Sequence, residues 1–218
     1  MSVQDYLAIL QYYPFLLKGL LYTIEISLVG MIFGTLIGVA SALAMLSRFR
    51  AVRWVSVIYL DIFRSTPVLV QFIWFYYALP VISGVSLTPI VAACIVLSLY
   101  SGAFHTEIFR AGILSIEKGQ QEAANALGMR SYQVMLRIIL PQATVRILPS
   151  YAGVLVTLIK DSALASTISV TELLRQGATV ATYTGSPIQA LVIVGVVYFL
   201  ITYPVSRLVN KLHDRLQA

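Results

Sequence analysis

Charge is what this chain has least of. Only 11% of its 218 residues are Asp, Glu, Lys or Arg, where a soluble domain carries about 25%. So few charges cannot cover a water-exposed surface, and 59% of the residues are hydrophobic. An ordinary soluble domain is excluded, and the bilayer is the natural solvent. Cysteine is nearly missing as well. The lone Cys94 excludes an intrachain disulfide and a cysteine metal site; within an apolar run it reads as packing. No G-x-x-x-x-G-K-[ST] occurs, so the chain has no phosphate-cradling loop of its own. G-x-S-x-G and H-E-x-x-H are absent too. Glu25, Asp61 and Asp161 are scattered among apolar segments rather than paired, which argues against an intramembrane enzyme. Alternating ten-residue segments are lacking, so a β-barrel is not expected. Nor does a basic stretch precede the first apolar run: Asp5 is acidic and Lys18 comes late. That run is expected to act as its own uncleaved insertion signal.

What is present are five apolar stretches of spanning length, at about 20–46, 54–79, 87–104, 147–170 and 188–206. The expected fold is an all-α integral membrane protein, a single transmembrane domain over 1–218. Net charge is +6, and the positives fall between the apolar runs, where they fix topology rather than bind nucleic acid. The first link carries Arg48, Arg50 and Arg53, and the third carries Arg110, Lys118, Arg130, Arg137 and Arg146. The tail adds Arg207, Lys211 and Arg215, whereas the other side has only Lys18 and Arg175. The positive-inside bias puts the N-terminus outside and the C-terminus in the cytoplasm. The opening segment, rich in Tyr6, Tyr12, Tyr13 and Phe15, either lies flat at the outer interface or extends the first span.

Gly30, Gly34, Gly38 and Ala42 recur at four-residue spacing on one helix face. Small residues let a second helix backbone approach, and packing is the main glue between helices in lipid. Glu25 stands near the outer end of this span and fits an interfacial position. Asp61 and Arg64 are three apart and can pair along a helix. Ser65-Thr66-Pro67 reads as a helix start inside a span, a hydroxyl cap with proline at the first position. A broken helix offers backbone N–H groups and a positive dipole end to a carboxylate, and Gln71 lies about one turn on. Thr66 and Gln71 are therefore candidate substrate contacts; the alternative is a kink repaired by its own hydroxyls. Lys160-Asp161 interrupts the fourth run in a similar way. Either the two form a buried pair, or Asp161 takes a substrate ammonium with Ser162 adding a hydrogen bond. His105 has no ligand cluster around it and fits interfacial hydrogen bonding rather than a metal site. His213 lies in a basic tail and is expected to be solvated.

The long third link, about 105–146, contains Glu122-Ala123-Ala124-Asn125-Ala126-Leu127-Gly128 and, nine residues on, Ile138-Ile139-Leu140-Pro141. The alanines favour a helix that is thin on one side. Gly128 can take the positive-φ conformation that ends it. Ser131 can cap a second helix, and Pro141 interrupts or starts another. This E-A-A, three residues, G, nine residues, I-x-L-P pattern resembles the signature of permease subunits of ABC importers. The resemblance implies that Glu122, Ala123, Ala124 and Gly128 form a cytoplasmic coupling helix that docks on an ATP-hydrolysing subunit. Phe63-Arg64-Ser65-Thr66-Pro67, Glu107-Ile108-Phe109-Arg110-Ala111-Gly112-Ile113 and Lys160-Asp161-Ser162-Ala163-Leu164 are similar to the polar amino acid uptake branch of that family. The similarity runs from about 18 to 210. One departure stands out. Relatives often carry a polar or acidic residue about seven positions before the Asp, and here the segment is Gly153-Val154-Leu155-Val156. This favours a neutral, acidic or partly apolar substrate over arginine or histidine.

The function expected is that of a permease subunit in a bacterial inner-membrane importer of a polar amino acid. The chain itself is not an enzyme and holds no cofactor; ATP and Mg²⁺ belong to a partner ATPase. Five spans are few to enclose a path, so a second permease, identical or homologous, is expected, together with an extracytoplasmic binding protein. The rival is an ion-coupled secondary carrier, which needs no ATPase partner and often shows internal repeats. Topology is open to direct test. With residues 105–146 in the cytoplasm, a cysteine at Asn125 is expected to react with an impermeant thiol reagent only from the inside. Labelling in intact cells reverses the topology.

Overall fold

The computed structural model describes residues 3–217, and every regular element among them is helical. In chain order these are α1 (Val3–Leu10), α2 (Tyr13–Met45), α3 (Arg50–Ser65), α4 (Val68–Ile73) and α5 (Leu79–Ser83). They are followed by α6 (Pro89–Leu114), α7 (Lys118–Ala126), α8 (Ser131–Val134), α9 (Leu140–Asp161), α10 (Leu173–Thr184) and α11 (Pro187–Gln217). A π turn at Trp74–Ala78 joins α4 to α5, another at Met135–Ile139 joins α8 to α9, and a 3₁₀ segment at Ser162–Ile168 prolongs α9. Four stretches are long and apolar enough to cross a membrane: Tyr13–Met45, Pro89–Leu114, Ser131–Ile168 and Pro187–Lys211. Arg50–Ser65 and Val68–Ser83 make a fifth as a pair bent by 105°.

The contact between α2 and α6 shows that this bent pair crosses. Gly30, Gly34 and Gly38 meet Leu97, Ser101 and His105 in turn. Numbers rise together along both helices, so α2 and α6 run side by side in the same direction. The chain between them must therefore return across the bilayer. The glycines allow this closeness. A Cβ on Gly30 would lie 2.9 Å from the Leu97 Cβ, and one on Gly34 would strike the Ser101 hydroxyl. That hydroxyl instead donates to the Gly30 carbonyl at 2.9 Å. The packing role expected of the small-residue stripe is what the structure shows.

Prolines shape the rest. Both π turns end two residues before a proline, and the residue between closes them: Leu79 N–H reaches the Trp74 carbonyl ahead of Pro80, and Leu140 N–H reaches the Met135 carbonyl ahead of Pro141. A proline ring clashes with the carbonyl four residues back, and widening the preceding turn relieves it. Thr88 and Pro89 form the hydroxyl-plus-proline start of α6, the Thr88 Oγ1 accepting from Val91 N–H at 3.4 Å. At Thr66-Pro67 the expected cap does not form: Pro67 itself precedes α4, and the Thr66 hydroxyl bonds back to Ile62 O at 2.7 Å. Ser131 is likewise the first residue of α8 rather than its cap; the Gln133 side chain accepts from Arg130 N–H at 2.8 Å.

The opening segment divides. α1 is a separate short helix whose Ile9 packs with Leu173, Val180 and Val194, while Tyr13 onward is the extension of the first span. The link expected between the last two spans contains α10, which packs against α2 and α11. His213 lies outside the residues whose side chains are described. Gly34→Leu is expected to force α6 off α2, at a cost of at least about 1–3 kcal/mol, read as a lower melting temperature of the purified protein. Gly195→Ala, with nothing within 4 Å of the added carbon, is the control and is expected to leave it unchanged.

Candidate functional site

At the elbow between α3 and α4 the last carbonyls of α3 lose their helical donors. Gln71, nearly fully buried, replaces them. Its Nε2 donates to Phe63 O (3.0 Å), Thr66 O (3.1 Å) and Thr66 Oγ1 (3.0 Å). The structure thus brings Thr66 and Gln71 together, but spends most of their polar capacity on the kink. Of the polar side-chain atoms of these two residues, Gln71 Oε1 is the one left buried without a partner. Both residues line a pocket of about 420 Å³ with Ile62, Phe63, Val70, Trp74 and Phe75. α4 has six residues before it widens, so its dipole is short.

Asp161 ends α9 without breaking it. The helix tightens into the 3₁₀ segment instead of unwinding, contrary to the interruption expected there. Asp161 is half-buried, with the Tyr100 hydroxyl and Lys160 as its polar neighbours. No ion pair joins Lys160 to Asp161; among the described residues the ion pair is Arg64 with Glu107. The same contact replaces the pairing of Arg64 with Asp61, which is exposed. Ser162 is fully buried and donates to Ile159 O at 2.8 Å, so its hydroxyl is committed to the backbone. The 3₁₀ segment packs against α4, with Ala165 and Ile168 in one core with Val68 and Phe72. The two candidate regions therefore adjoin, although Asp161 lies outside the elbow pocket.

The third link folds as expected into two short helices with a glycine between them. Gly128 has φ of 77°. Its N–H bonds Asn125 O (2.9 Å), and Met129 N–H bonds Ala124 O (3.2 Å), the paired bonds of a left-handed helix end. Ala124 is buried and packs with Ile116, Val134, Ile139 and Ala143. Glu122, Ala123 and Gly128 are exposed, as are Leu127 (83%), Tyr132 (58%) and Leu136 (60%). The outward face mixes these apolar side chains with the exposed Gln121, Glu122 and Asn125, and is thin at Ala123.

Two buried polar residues were not legible, or were misread, in sequence. Glu172 is fully buried at the start of α10. It accepts from Leu174 N–H (2.8 Å), Arg175 N–H (2.7 Å) and the Tyr198 hydroxyl (2.9 Å). Burial raises its carboxyl above the ordinary range, against the pull of these donors. Its position just before the apolar Leu173-Leu174, with no hydroxyl cap, was the available signal. His105 is not interfacial. It is fully buried, with ring centroids 4.9 Å from Tyr151 and 5.9 Å from Phe109. Neither ring nitrogen makes a well-formed hydrogen bond, and the Gly34 backbone lies nearby. No cluster of potential metal ligands occurs among the described residues.

The structure is a helical bundle of up to five candidate membrane crossings, with the two-helix loop of α7 and α8 between the third and the fourth. Residues 34–217 match the family of binding-protein-dependent transport system inner membrane components. The chain belongs to that family: it is a multi-pass permease subunit of an ABC-type importer. It is 36% identical to an arginine transport system permease protein of Bacillus subtilis over 90% of both chains. It is 34% identical to a glutamate/aspartate import permease protein of Escherichia coli O6:H1 over 97% of both. A chain in the crystal structure of an amino acid ABC transporter with histidines superposes with a TM-score of 0.92 at 32% identity, covering 99% of this chain and 100% of that one. A MetNI methionine ABC transporter chain, at 23% identity and TM-score 0.70 over 91% and 96%, shares the fold. These matches support the importer over the ion-coupled carrier.

The facing of the two alanines yields a test. Ala124→Leu is expected to overpack the loop core and destabilise the protein by about 1–3 kcal/mol. Ala123→Leu, on the exposed side, is expected to leave the melting temperature within a degree or two of wild type, on the order of a surface change.

Proposed function

We propose that this permease carries an amino acid inward across a bacterial inner membrane, holding it by the ammonium and carboxylate that every amino acid shares. Relatives are named for arginine, glutamine, glutamate/aspartate and L-cystine. Those side chains differ in charge and size, so a site common to them reads the backbone end. The observation that carries the reading is Asp161: a half-buried carboxylate at the C-terminal end of α9, without an ion-pair partner among the described residues. Helix end and carboxylate both favour a cation there, and the adjacent Tyr100 hydroxyl orients it. Thr66 and Gln71 line the adjoining elbow pocket, where the backbone N–H groups at the start of α4, rather than the Gln71 Oε1 acceptor, suit the carboxylate. Ser162 serves the site by closing the turn after Asp161. Val154, two helical turns before Asp161 and partly buried among apolar residues, offers no second charge. That favours a neutral, acidic or partly apolar side chain over a cationic one.

In this reading the N-terminus lies outside and the 105–146 loop in the cytoplasm. The exposed face of α7, with Glu122, Ala123 and Gly128, docks on a separate ATPase subunit that binds ATP and Mg²⁺; Ala124 supports that face from beneath. A second permease completes the path, and an extracytoplasmic binding protein delivers the substrate.

Asp161→Asn keeps the shape and removes the charge. It is expected to weaken uptake affinity about a hundredfold, the equivalent of a few kcal/mol. The measurement is concentration-dependent uptake by the reconstituted complex. If Lys160→Met with Asp161→Asn restores uptake, Asp161 merely neutralised Lys160 and the substrate assignment is wrong.

A further inference from the structure

Arg64 lies in the last turn of α3, just before the elbow, and its Nη1 lies 2.6 Å from Glu107 Oε1 on α6. Its guanidinium also sits 5.8 Å from the centre of the Phe104 ring. Both charged side chains are a little over one-third exposed, which in water would make the pair worth little. The pair nevertheless joins two elements of the bundle, α3 and α6, and so has a use other than stability. Three features give it one. First, Arg64 stands in the last turn of α3, where a cation also complements the helix carbonyls. Second, its partner helix α6 is the one held hard against α2 by the glycine contacts, so the pair joins a broken element to a fixed one. Third, Tyr100, Phe104 and Glu107 follow one another along one face of α6. Tyr100 adjoins Asp161, its ring centroid is 4.9 Å from that of Phe104, and Phe104 lies under Arg64. Glu107 is about 10 Å along the helix from Tyr100.

We infer that Arg64 and Glu107 are positioning residues: an ionic latch that sets the elbow, and through it α4, against the face of α6 that carries Tyr100 and Asp161. Neither touches the amino acid. The latch determines how the elbow pocket faces the Asp161 end of α9, because α4 packs directly on the 3₁₀ segment that follows Asp161. Breaking it loosens the elbow without removing any substrate contact. The proposal deepens the substrate site described above and rests on it, but its test uses different residues.

The test is a charge-exchange cycle in the complete transporter with its ATPase and binding protein, reconstituted in vesicles. Arg64→Glu and Glu107→Arg are each expected to raise the half-saturating substrate concentration for uptake about tenfold, the size of a contact-pair coupling. Maximal uptake should fall less. The exchanged pair, Arg64→Glu with Glu107→Arg, is expected to recover most of the loss. Where a reversed charge prevents assembly, Arg64→Gln, Glu107→Gln and their double replace it, and the double is expected to be no worse than either single. Wild-type half-saturation in assembled single variants overturns the latch. So does an exchanged pair as poor as the worse single, or two Gln effects that simply add. If Asp161→Asn proves harmless while the exchange still rescues, the substrate site fails and the latch survives as an element of transport. If Asp161→Asn is damaging and the charge variants are silent, the reverse holds.

Discussion

The close approach of α2 and α6 governs the rest of the molecule. In lipid the hydrophobic effect does not drive one helix against another, so association depends on how near two backbones can come. Three glycines on α2 open that face to Leu97, Ser101 and His105 on α6. Because the two helices are parallel, the segment between them has to travel back across the membrane. It does so as a broken element, α3 turning by 105° into α4. The elbow is thus a consequence of a topology that the glycine contact locks in place. Its bend carries α4 onto the 3₁₀ segment after Asp161.

Inside such a bundle a polar group needs an internal partner, and most of them have one. Thr66 and Gln71 repair the elbow, Ser101 bonds α2, and the Thr35 hydroxyl meets that of Tyr151 at 2.8 Å. Ser27 donates to Thr23 O at 2.6 Å, and Glu172 satisfies the start of α10 while receiving Tyr198. Among the described residues the buried side-chain polar atoms left without a partner are few: Ser41 Oγ, Gln71 Oε1, both His105 ring nitrogens and Arg110 Nε. The loop of α7 and α8 shows the same economy, with Ala124 turned inward to build its core and Ala123 left outward.

Much of this was legible in the order of residues. Five apolar runs, the four-residue stripe of small residues, the left-handed glycine after the E-A-A segment and a break near Pro67 all follow from local chemistry. Each depends on neighbours within about two helical turns, the range over which periodicity and backbone conformation are encoded. The α10 helix escaped notice because its start is capped by a buried glutamate. Such a residue reads as a polar loop until Tyr198, distant in sequence, supplies its third hydrogen bond.

Sequence alone therefore determined the class of molecule, the number of crossings and the form of the two-helix loop. Tertiary structure decided the partners. Arg64 had an acid three residues away at Asp61, yet the fold gives it Glu107. Two hydroxyl-proline pairs, Thr66-Pro67 and Thr88-Pro89, are alike as text. One caps a helix, and the other bonds backward at a bend, because only the second of the two helices is free to start in a new direction without an existing carbonyl to satisfy. Ala123 and Ala124 differ by the 100° that separates successive helical residues, and what lies on either side is settled by chain folded back from elsewhere. Ion pairs, caps and facing are contacts between residues remote along the chain, and no local pattern encodes which remote residue arrives.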